Sequence, residues 1–200
     1  MNNYYYLVAS LPDLTKDRAL GEEDAGFFIR EIKANCPPGA LAAIEFLESG
    51  YEEANLTEDF YRKALSHKNR FLREWFRFDL NVRNAKVRYL NSALGRPADK
   101  DVMPLDGGEF PQSQEVEHVL NGTDILARER GIDDILWKKA DELTTFHYFD
   151  IDTVLGFFVK LKIIDRWLRL DEEAGRAMFR KLVDEVRGTF RGMESAHTEE

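Results

Sequence analysis

Residues 57–91 constrain the fold most, because they contain neither glycine nor proline and repeat their apolar side chains at helical spacing. Steps of three and four residues place two apolar stripes side by side on one face of an α-helix. The first stripe comprises Phe60, Ala64, Phe71, Trp75, Phe78, Val82, Ala85 and Tyr89, with His67 in its one polar gap, and the second comprises Tyr61, Leu65, Leu72, Phe76 and Leu90. At a rise of 1.5 Å per residue, an unbroken helix here would be roughly 50 Å long. We therefore predict a central helix, straight or kinked between Asp79 and Asn84, against which other helices pack.

This central stretch, residues 57–91, is also basic within an acidic chain. It carries nine lysines and arginines against four acidic residues, a net charge of +5, whereas the whole chain carries −9 and the remainder therefore −14. The basic face then contacts either the chain's own acidic helices and solvent, or an acidic partner. A nucleic acid is a poorer candidate, because the overall negative charge repels phosphate at long range. The candidate partner-binding residues are Arg70, Arg73, Arg77, Arg83 and Arg88.

The remaining segments also show helical periodicity, and glycine, proline or capping residues separate them. Residues 4–10 are apolar and aromatic, and their pattern fits either a short strand or the first turns of a helix. Thr57 is the predicted N-cap of the central helix. Further helices are predicted at about Glu22–Ala34, Ala40–Glu48, Ser113–Leu120, Thr123–Arg130, Ile132–Leu143, from Asp150 or Asp152 to Leu170, and Asp171–Arg187.

These segments predict an all-α protein, a bundle of two packed helical modules organised on the long central helix, with at most one short N-terminal strand. The N-terminal half is residues 1–95 and the C-terminal half is residues 113–190. An exposed, irregular loop at 96–112 divides them, and residues 191–200 are predicted to be a disordered tail. Apolar residues make up 44% of the 200, which is enough for one domain or for two lobes that share a core.

Cysteine content and hydropathy indicate the compartment. The single cysteine, Cys36, excludes an internal disulfide, as is usual in a reducing cytoplasm. No basic segment followed by an apolar run marks a signal peptide, and no run reaches the ~18–20 apolar residues that span a bilayer. We therefore expect a cytoplasmic protein.

The sequence contains no recognised catalytic or nucleotide-binding motif. The best candidate for a metal site combines His147 with Asp150 and Asp152, but both aspartates are better interpreted as caps of the following helix. Asp133 and Asp134 are likewise interpreted as a helix start. We therefore expect no enzymatic activity, no metal and no cofactor, and a small enzyme with a site near His147 remains an alternative hypothesis.

Two polar positions interrupt the apolar helix faces. Asn84 lies near the packed face of the central helix, and Asp165 lies on the apolar stripe of the 150–170 helix. Lys162 and Arg169 lie three residues before Asp165 and four residues after it. Because a buried carboxylate needs a partner, we interpret both positions as polar contacts, with each other or with nearby backbone, that fix the register of packed helices.

Two segments carry a resemblance to a known family. The segment FDLNVRNAKVRYL, Phe78–Leu90, resembles a helix of the C-type subunits of V-type and A-type ATP synthases, whose eukaryotic counterparts are the d-type subunits. Asn84 and Lys86 stand at its matching positions. The segment FDIDTVLGFFVKLKIIDRWLRL, Phe149–Leu170, is similar to a second helix of that family, with Asp165 at its acidic position and Arg166 or Arg169 at its basic one. The opening YYYLVASLP also resembles a bacterial family encoded beside V-type ATPase genes.

The resemblance implies a non-catalytic structural adapter of a V-type ATPase. Such an adapter links the central rotor shaft to the membrane ring and transmits torque by rigid packing. Its partners would be central-stalk and ring subunits, and it would lie at the inner face of the membrane through those partners. The alternative is a free-standing helical interaction or regulatory protein that binds one acidic partner.

Overall fold

The computed structural model describes residues 4–16 and 24–169, and these residues form helices with no strand among them. The all-α class predicted from the sequence is confirmed for this part of the chain. The predicted helix 171–187 and the predicted tail lie outside the described residues. The helices are α1 Tyr5–Ser10, α2 Ala25–Asn35, α3 Pro38–Ser49, α4 Glu58–Leu65, α5 Arg70–Ala93, α6 Ser113–Leu120, α7 Ile125–Thr144 and α8 Ile151–Leu168, with a short 3-10 turn at Glu53–Asn55.

The segment whose pattern fitted strand or helix is helical. α1 buries Leu7 and the preceding Tyr4 in the core, while Tyr5 and Tyr6 face outward. The predicted N-cap Thr57 is confirmed, because its hydroxyl oxygen accepts a hydrogen bond from Phe60 N.

The central stretch is a helical hairpin, which corrects the prediction of one long helix. α4 and α5 are separated at residues 66–69, a connection that we call the hairpin turn. Phe60 packs edge-on against Phe76, and the buried Tyr61 donates to Asp79 Oδ2 at 2.5 Å. These contacts join residues on either side of the turn, so α4 folds back antiparallel along α5. α5 alone is roughly 36 Å long at 1.5 Å per residue.

Asn69 explains why the helix stops and restarts. Its side-chain oxygen accepts from Leu72 N at 2.9 Å, so it is the N-cap of α5. Ser66 donates instead to the carbonyl oxygens of Arg62 and Lys63, a local bond that competes with helix continuation. The break therefore lies ahead of the region 79–84, where a kink was predicted, and α5 continues through that region.

α7 is also one helix where two were predicted. The predicted helices 123–130 and 132–143 leave Gly131 between them, but this residue lies inside α7. A Cβ atom at Gly131 would lie 2.7 Å from Val119 Cγ1 of α6. The glycine therefore permits close approach of α6 to α7, and it does not end the helix.

The core surrounds α5. This helix contacts α4, α6 and α7, so helices from both predicted halves share it as their common packing element. One cluster joins α5 to α6 and α7 through Phe78, Val82, Val116, Leu120, Ile132 and Ile135. A second joins α2 to α8 through Ala25, Phe28 and Leu161. Full burial of each large apolar side chain contributes about 1.5–3 kcal/mol to stability.

By its internal contacts the chain separates into two compact units, residues 1–163 and 164–200. The helices α1 to α7 and most of α8 belong to the first unit, and residues 164–169 are the described part of the second. None of the described helices combines the length and the apolar content of a membrane-crossing segment.

Candidate functional site

One face of α5 holds the following loop through asparagine side chains. Asn81 donates to the Gly107 carbonyl at 3.0 Å, and Asn91 donates to the carbonyls of Ala98 and Lys100. Asn84 makes a reciprocal pair with Met103, donating to its carbonyl at 3.2 Å and accepting from its N–H at 3.0 Å. We call Asn81, Asn84 and Asn91 the asparagine face.

These contacts hold the 96–112 loop, which contains no helix or strand, against α5 and define the role of Asn84. Most loop side chains are exposed, but the loop backbone is fixed to α5 at four carbonyl groups, and Gly107 is buried. A Cβ at Gly107 would lie 2.0 Å from Asn81 Oδ1, so only glycine fits there. The interpretation of Asn84 as a polar contact with nearby backbone is confirmed.

Other polar residues of the same segment link helices. Lys86 contacts Glu129 of α7 at 3.4 Å. Asp79 accepts from Tyr61 of α4 and lies 3.5 Å from Arg83 Nε on its own helix. Burial raises the pKa of Asp79, although the Tyr61 hydrogen bond and the positive charges of Arg83 and Lys86 oppose the shift. This segment therefore connects α5 to α4, to α7 and to the loop.

Four of the five predicted partner-binding arginines have intrachain partners. Arg73 donates to the His67 carbonyl and lies 3.5 Å from Glu74, and Arg77 donates to Glu74 at 2.9 Å. Arg83 is near Asp79, and Arg88 pairs with Asp99 of the loop at 2.9 Å. The basic face thus meets the chain's own carboxylates along much of its length.

The remaining positive charge lies at the hairpin turn. Arg70 and the nearby Lys63 and Lys68 are exposed, and no carboxylate pairs with them among residues 4–16 and 24–169. We call Lys63, Lys68 and Arg70 the turn cations. They combine exposure with unneutralised charge, so they are the part of the basic stretch best placed to bind an acidic group.

Asp165 and Arg169 are brought together on α8. Arg169 Nε donates to Asp165 Oδ1 at 2.9 Å, one helical turn away, and the aspartate side chain is mostly shielded from solvent. Asp165 was predicted to contact Asn84 or nearby backbone, and the residue that it pairs with is instead Arg169. Lys162 instead lies over the rings of Tyr51 and Phe158.

The side chains of His147, Asp150 and Asp152 meet, and each aspartate also has a structural contact. His147 Nδ1 lies 2.5 Å from Asp150 Oδ2, and Asp150 Oδ1 accepts from Thr153 N at the start of α8, the predicted cap. Asp152 accepts from Asn69 of the hairpin turn at 3.0 Å. Burial favours a higher pKa for Asp150, but the hydrogen bonds from His147 and Thr153 outweigh it and lower the pKa. In the part of the chain that the structure describes, no group of three or more His, Cys, Asp or Glu side chains could hold a metal ion.

A cleft of about 530 Å³ lies between α5, the 96–112 loop and α6. Its lining is mixed, with Asn81 and Tyr89 on α5, Phe110 on the loop, and Glu117 on α6. Arg88 also lines it, and that guanidinium already pairs with Asp99. The cleft is therefore bounded by the same contacts that fix the loop.

Sequence reasoning missed two polar residues that the fold uses. Asn69 was included only in the helical stretch, yet it caps α5 and links it to α8. Asp133 was interpreted as a helix start, but it is a buried residue inside α7. Its spacing of four and seven residues from the buried Trp137 and Ala140 could have revealed it, because that spacing places all three on one helical face.

Comparisons with known proteins give one family match. A family model described as "Protein of unknown function (DUF2764)" matches residues 40–101 and 105–189. These ranges include α4 to α8 and most of α3, together with the asparagine face, the turn cations and Asp165. No curated protein and no solved structure matches the chain.

Proposed function

Since the chain belongs to the DUF2764 family, whose model covers most of its length, we propose that it is a non-catalytic helical adapter that docks an acidic partner protein. The observation that carries this proposal is that the polar residues of the central stretch fall into two groups with different contacts. Its conspicuous polar residues fix the protein's own frame, and three exposed cations at the hairpin turn have no carboxylate partner among the described residues.

The rigid part of this frame suits an adapter. The asparagine face and the Lys86–Glu129 pair connect α5 to the loop and to α7, and Tyr61 connects α4 to Asp79. Satisfied polar contacts of this kind, some of them buried and some partly exposed, favour one arrangement of the packed helices. A part that transmits force or holds two neighbours at a fixed distance needs such a frame.

The finer proposal is that the partners are the central-stalk and ring subunits of a V-type ATPase. Its support is the resemblance of Phe78–Leu90 and Phe149–Leu170 to the C-type subunits of these machines, including Asn84, Lys86 and Asp165. In this role the chain would link shaft to ring at the inner face of the membrane without chemistry of its own. The alternative of a free-standing regulatory protein shares the docking surface and differs in the identity of the partner.

The test is a pull-down of the tagged full chain from its native cells in mild detergent, followed by identification of the co-purifying proteins. We expect ATPase stalk and ring subunits in a stable ratio. Recovery of none of them, from cells in which that ATPase is intact, would contradict the ATPase assignment. An acidic partner recovered in their place would support the regulatory alternative.

A charge-reversal pair tests whether docking uses the turn cations. Lys68→Glu with Arg70→Glu should reduce recovery of the partner without lowering the melting temperature, because both side chains are exposed. The matched control is Arg96→Glu with Lys100→Glu, which reverses two exposed cations just beyond the C-terminal end of α5. The 24 residues of α5, at 1.5 Å each, place that end more than about 30 Å from the hairpin turn. Equal loss of recovery in both variants would show that only net charge matters.

A further inference from the structure

A cluster of exposed aromatic side chains lies at one end of the first unit. Phe146 and Tyr148 belong to the connection between α7 and α8 and are 87% and 68% exposed, and Tyr6 of α1 is 82% exposed. Tyr5 and Phe149, each about half exposed, complete the group. We call Tyr5, Tyr6, Phe146, Tyr148 and Phe149 the aromatic patch.

Ring contacts join the two segments of this patch into one surface. The Tyr5 ring lies 4.9 Å from the Phe149 ring and 5.8 Å from the Tyr6 ring. α1 therefore extends the surface that the α7–α8 connection begins. Such a group exceeds the single exposed apolar residues that are normal on a protein surface, and groups of this kind mark interaction sites.

The patch adjoins the hairpin turn. Asn69 of the turn donates to Asp152, and Asp152 Oδ2 lies 3.8 Å from His147 Nε2. His147 lies between Phe146 and Tyr148 in the chain, while Lys68 and Arg70 flank Asn69. Aromatic rings and turn cations therefore occupy neighbouring positions at the same end of the unit.

The carboxylates of this region are already engaged. Asp150 is hydrogen-bonded to His147 and to Thr153 N, and Asp152 is hydrogen-bonded to Asn69. Lys68 and Arg70 are the exposed charges beside the rings that have no carboxylate partner among the described residues. The exposed rings therefore lie beside these two cations, in a chain whose overall charge is −9.

From this juxtaposition we infer that the aromatic patch and the turn cations form one docking surface for an acidic, amphipathic helical segment of a partner protein. The inference rests on the proposed adapter function and names the chemistry of its partner. Apolar residues of the segment would cover the rings, and its carboxylates would pair with Lys68 and Arg70. Aromatic and arginine side chains are the types that carry most binding energy at protein interfaces.

Charge favours a protein segment over an anionic membrane. An anionic bilayer is an extended negative surface, so it would also approach the parts of the protein outside residues 57–91. Those parts carry a net charge of −14. That repulsion acts over about a Debye length, roughly 8 Å at physiological salt. A single helix contacts only the patch and the turn, so it gains the local attraction without the wider repulsion.

Photo-crosslinking tests the inference in the full-length chain. The crosslinking amino acid p-benzoylphenylalanine replaces Phe146 in native cells, and the crosslinked peptide is mapped by mass spectrometry. The control position is Leu126, which is also exposed but lies in the first turn of α7, roughly 27 Å from the patch end of that helix. We expect position 146 to crosslink to an acidic segment with helical apolar spacing, and position 126 not to do so.

Two sets of variants complete the test. Tyr6→Ser with Phe146→Ser, and separately Lys68→Glu with Arg70→Glu, should each lower recovery of that partner by at least about tenfold. Ile125→Ser with Leu126→Ser removes comparable exposed apolar surface and should leave recovery unchanged. Neither set should lower the melting temperature, because these side chains are exposed.

The outcomes separate this inference from the ATPase assignment. A crosslink to an acidic segment of a protein that is not an ATPase subunit supports the surface and contradicts that assignment. Normal recovery of ATPase subunits by the Tyr6→Ser, Phe146→Ser chain contradicts the surface and leaves the assignment standing. A crosslink to the same chain, or binding to phosphatidylglycerol vesicles that the serine pair abolishes, would overturn the inference.

Discussion

At the scale of single residues, Asn84 connects α5 to the loop through both atoms of its amide. Asn84→Ala removes the two hydrogen bonds with Met103 and should lower the free energy of unfolding by about 1–3 kcal/mol. Asn84→Asp should cost more, because it replaces the donor with a carboxylate at a buried position. Urea titration measures the effect, and limited proteolysis should show faster cleavage in residues 96–112.

The control for Asn84 is Ser92→Ala, an exposed position on the same helix. A loss below about 0.5 kcal/mol for Asn84→Ala, the range of ordinary surface substitutions, would show that the loop does not depend on this contact.

His67 in the hairpin turn should make stability depend on pH. Burial lowers the pKa of His67 below 6.5, and the charges of Lys68 and Arg73 add to the shift. The unfolded chain therefore binds a proton at this residue more readily, so stability falls as pH decreases through and below about 6.5. His67→Gln should flatten the fall in unfolding free energy between about pH 7 and 5. Ser66→Ala, in the same turn, should keep the wild-type slope, and an unchanged slope in His67→Gln would refute the prediction.

At the scale of elements, Asn69 both caps α5 and ties it to α8. Asn69→Ala loses the cap and the Asp152 contact and should cost about 1–2 kcal/mol. Asn69→Ser keeps a capping oxygen but lacks the amide that donates to Asp152, so it should cost less. Thermal unfolding of both variants separates the two contributions. Equal losses would mean that the contact with α8 carries the whole effect.

The crossing of α6 and α7 depends on the space at Gly131. A methyl group there would overlap Val119, so Gly131→Ala should destabilise the protein by about 1–3 kcal/mol despite its better helix propensity. Val119→Ala in the same chain should restore part of the loss, and a double-mutant cycle measures this coupling. Gly39→Ala, where a Cβ meets nothing within 4 Å, is the control. Strict additivity of the two substitutions would contradict the packing argument.

At the scale of the whole molecule, the charge distribution should govern how long the chain stays bound to its partner. The overall charge is −9, and three exposed cations without a carboxylate partner among the described residues, Lys63, Lys68 and Arg70, lie together at the hairpin turn. The complex with an acidic partner should therefore dissociate faster as salt rises from about 50 to 300 mM, because screening weakens the contact between these cations and the partner's carboxylates. Stopped-flow or biolayer measurements on the recovered partner give the rates. Lys68→Glu with Arg70→Glu should remove most of this dependence, and a salt-independent wild-type rate would argue against electrostatic docking.

The sequence alone determined the helical class and most helix positions. Apolar spacing and capping residues act within a few residues of each other, so Thr57, Asp150 and the stripes of α5 could be identified from local pattern. The polar role of Asn84 followed from the cost of burying an unpaired polar group, whereas the structure was needed to show that Asp165 pairs with Arg169. The sequence showed only part of the proposed partner surface. It identified the basic stretch, but it did not show which of the cations in that stretch are exposed and lack a carboxylate partner.

Tertiary structure decided what depends on residues far apart in the chain. The hairpin at residues 66–69 requires Tyr61 to reach Asp79, 18 positions away, and the ordered loop requires Asn84 to reach Met103, 19 positions away. From the sequence, Gly131 could either end a helix or allow two helices to approach closely. The position of Val119 beside it shows the second. The same holds for the aromatic patch, because sequence spacing cannot show that Tyr5 lies against Phe149. Local periodicity specifies a helix, but which helices fold back, and which side chains stay exposed, depends on contacts that form only when the chain is packed.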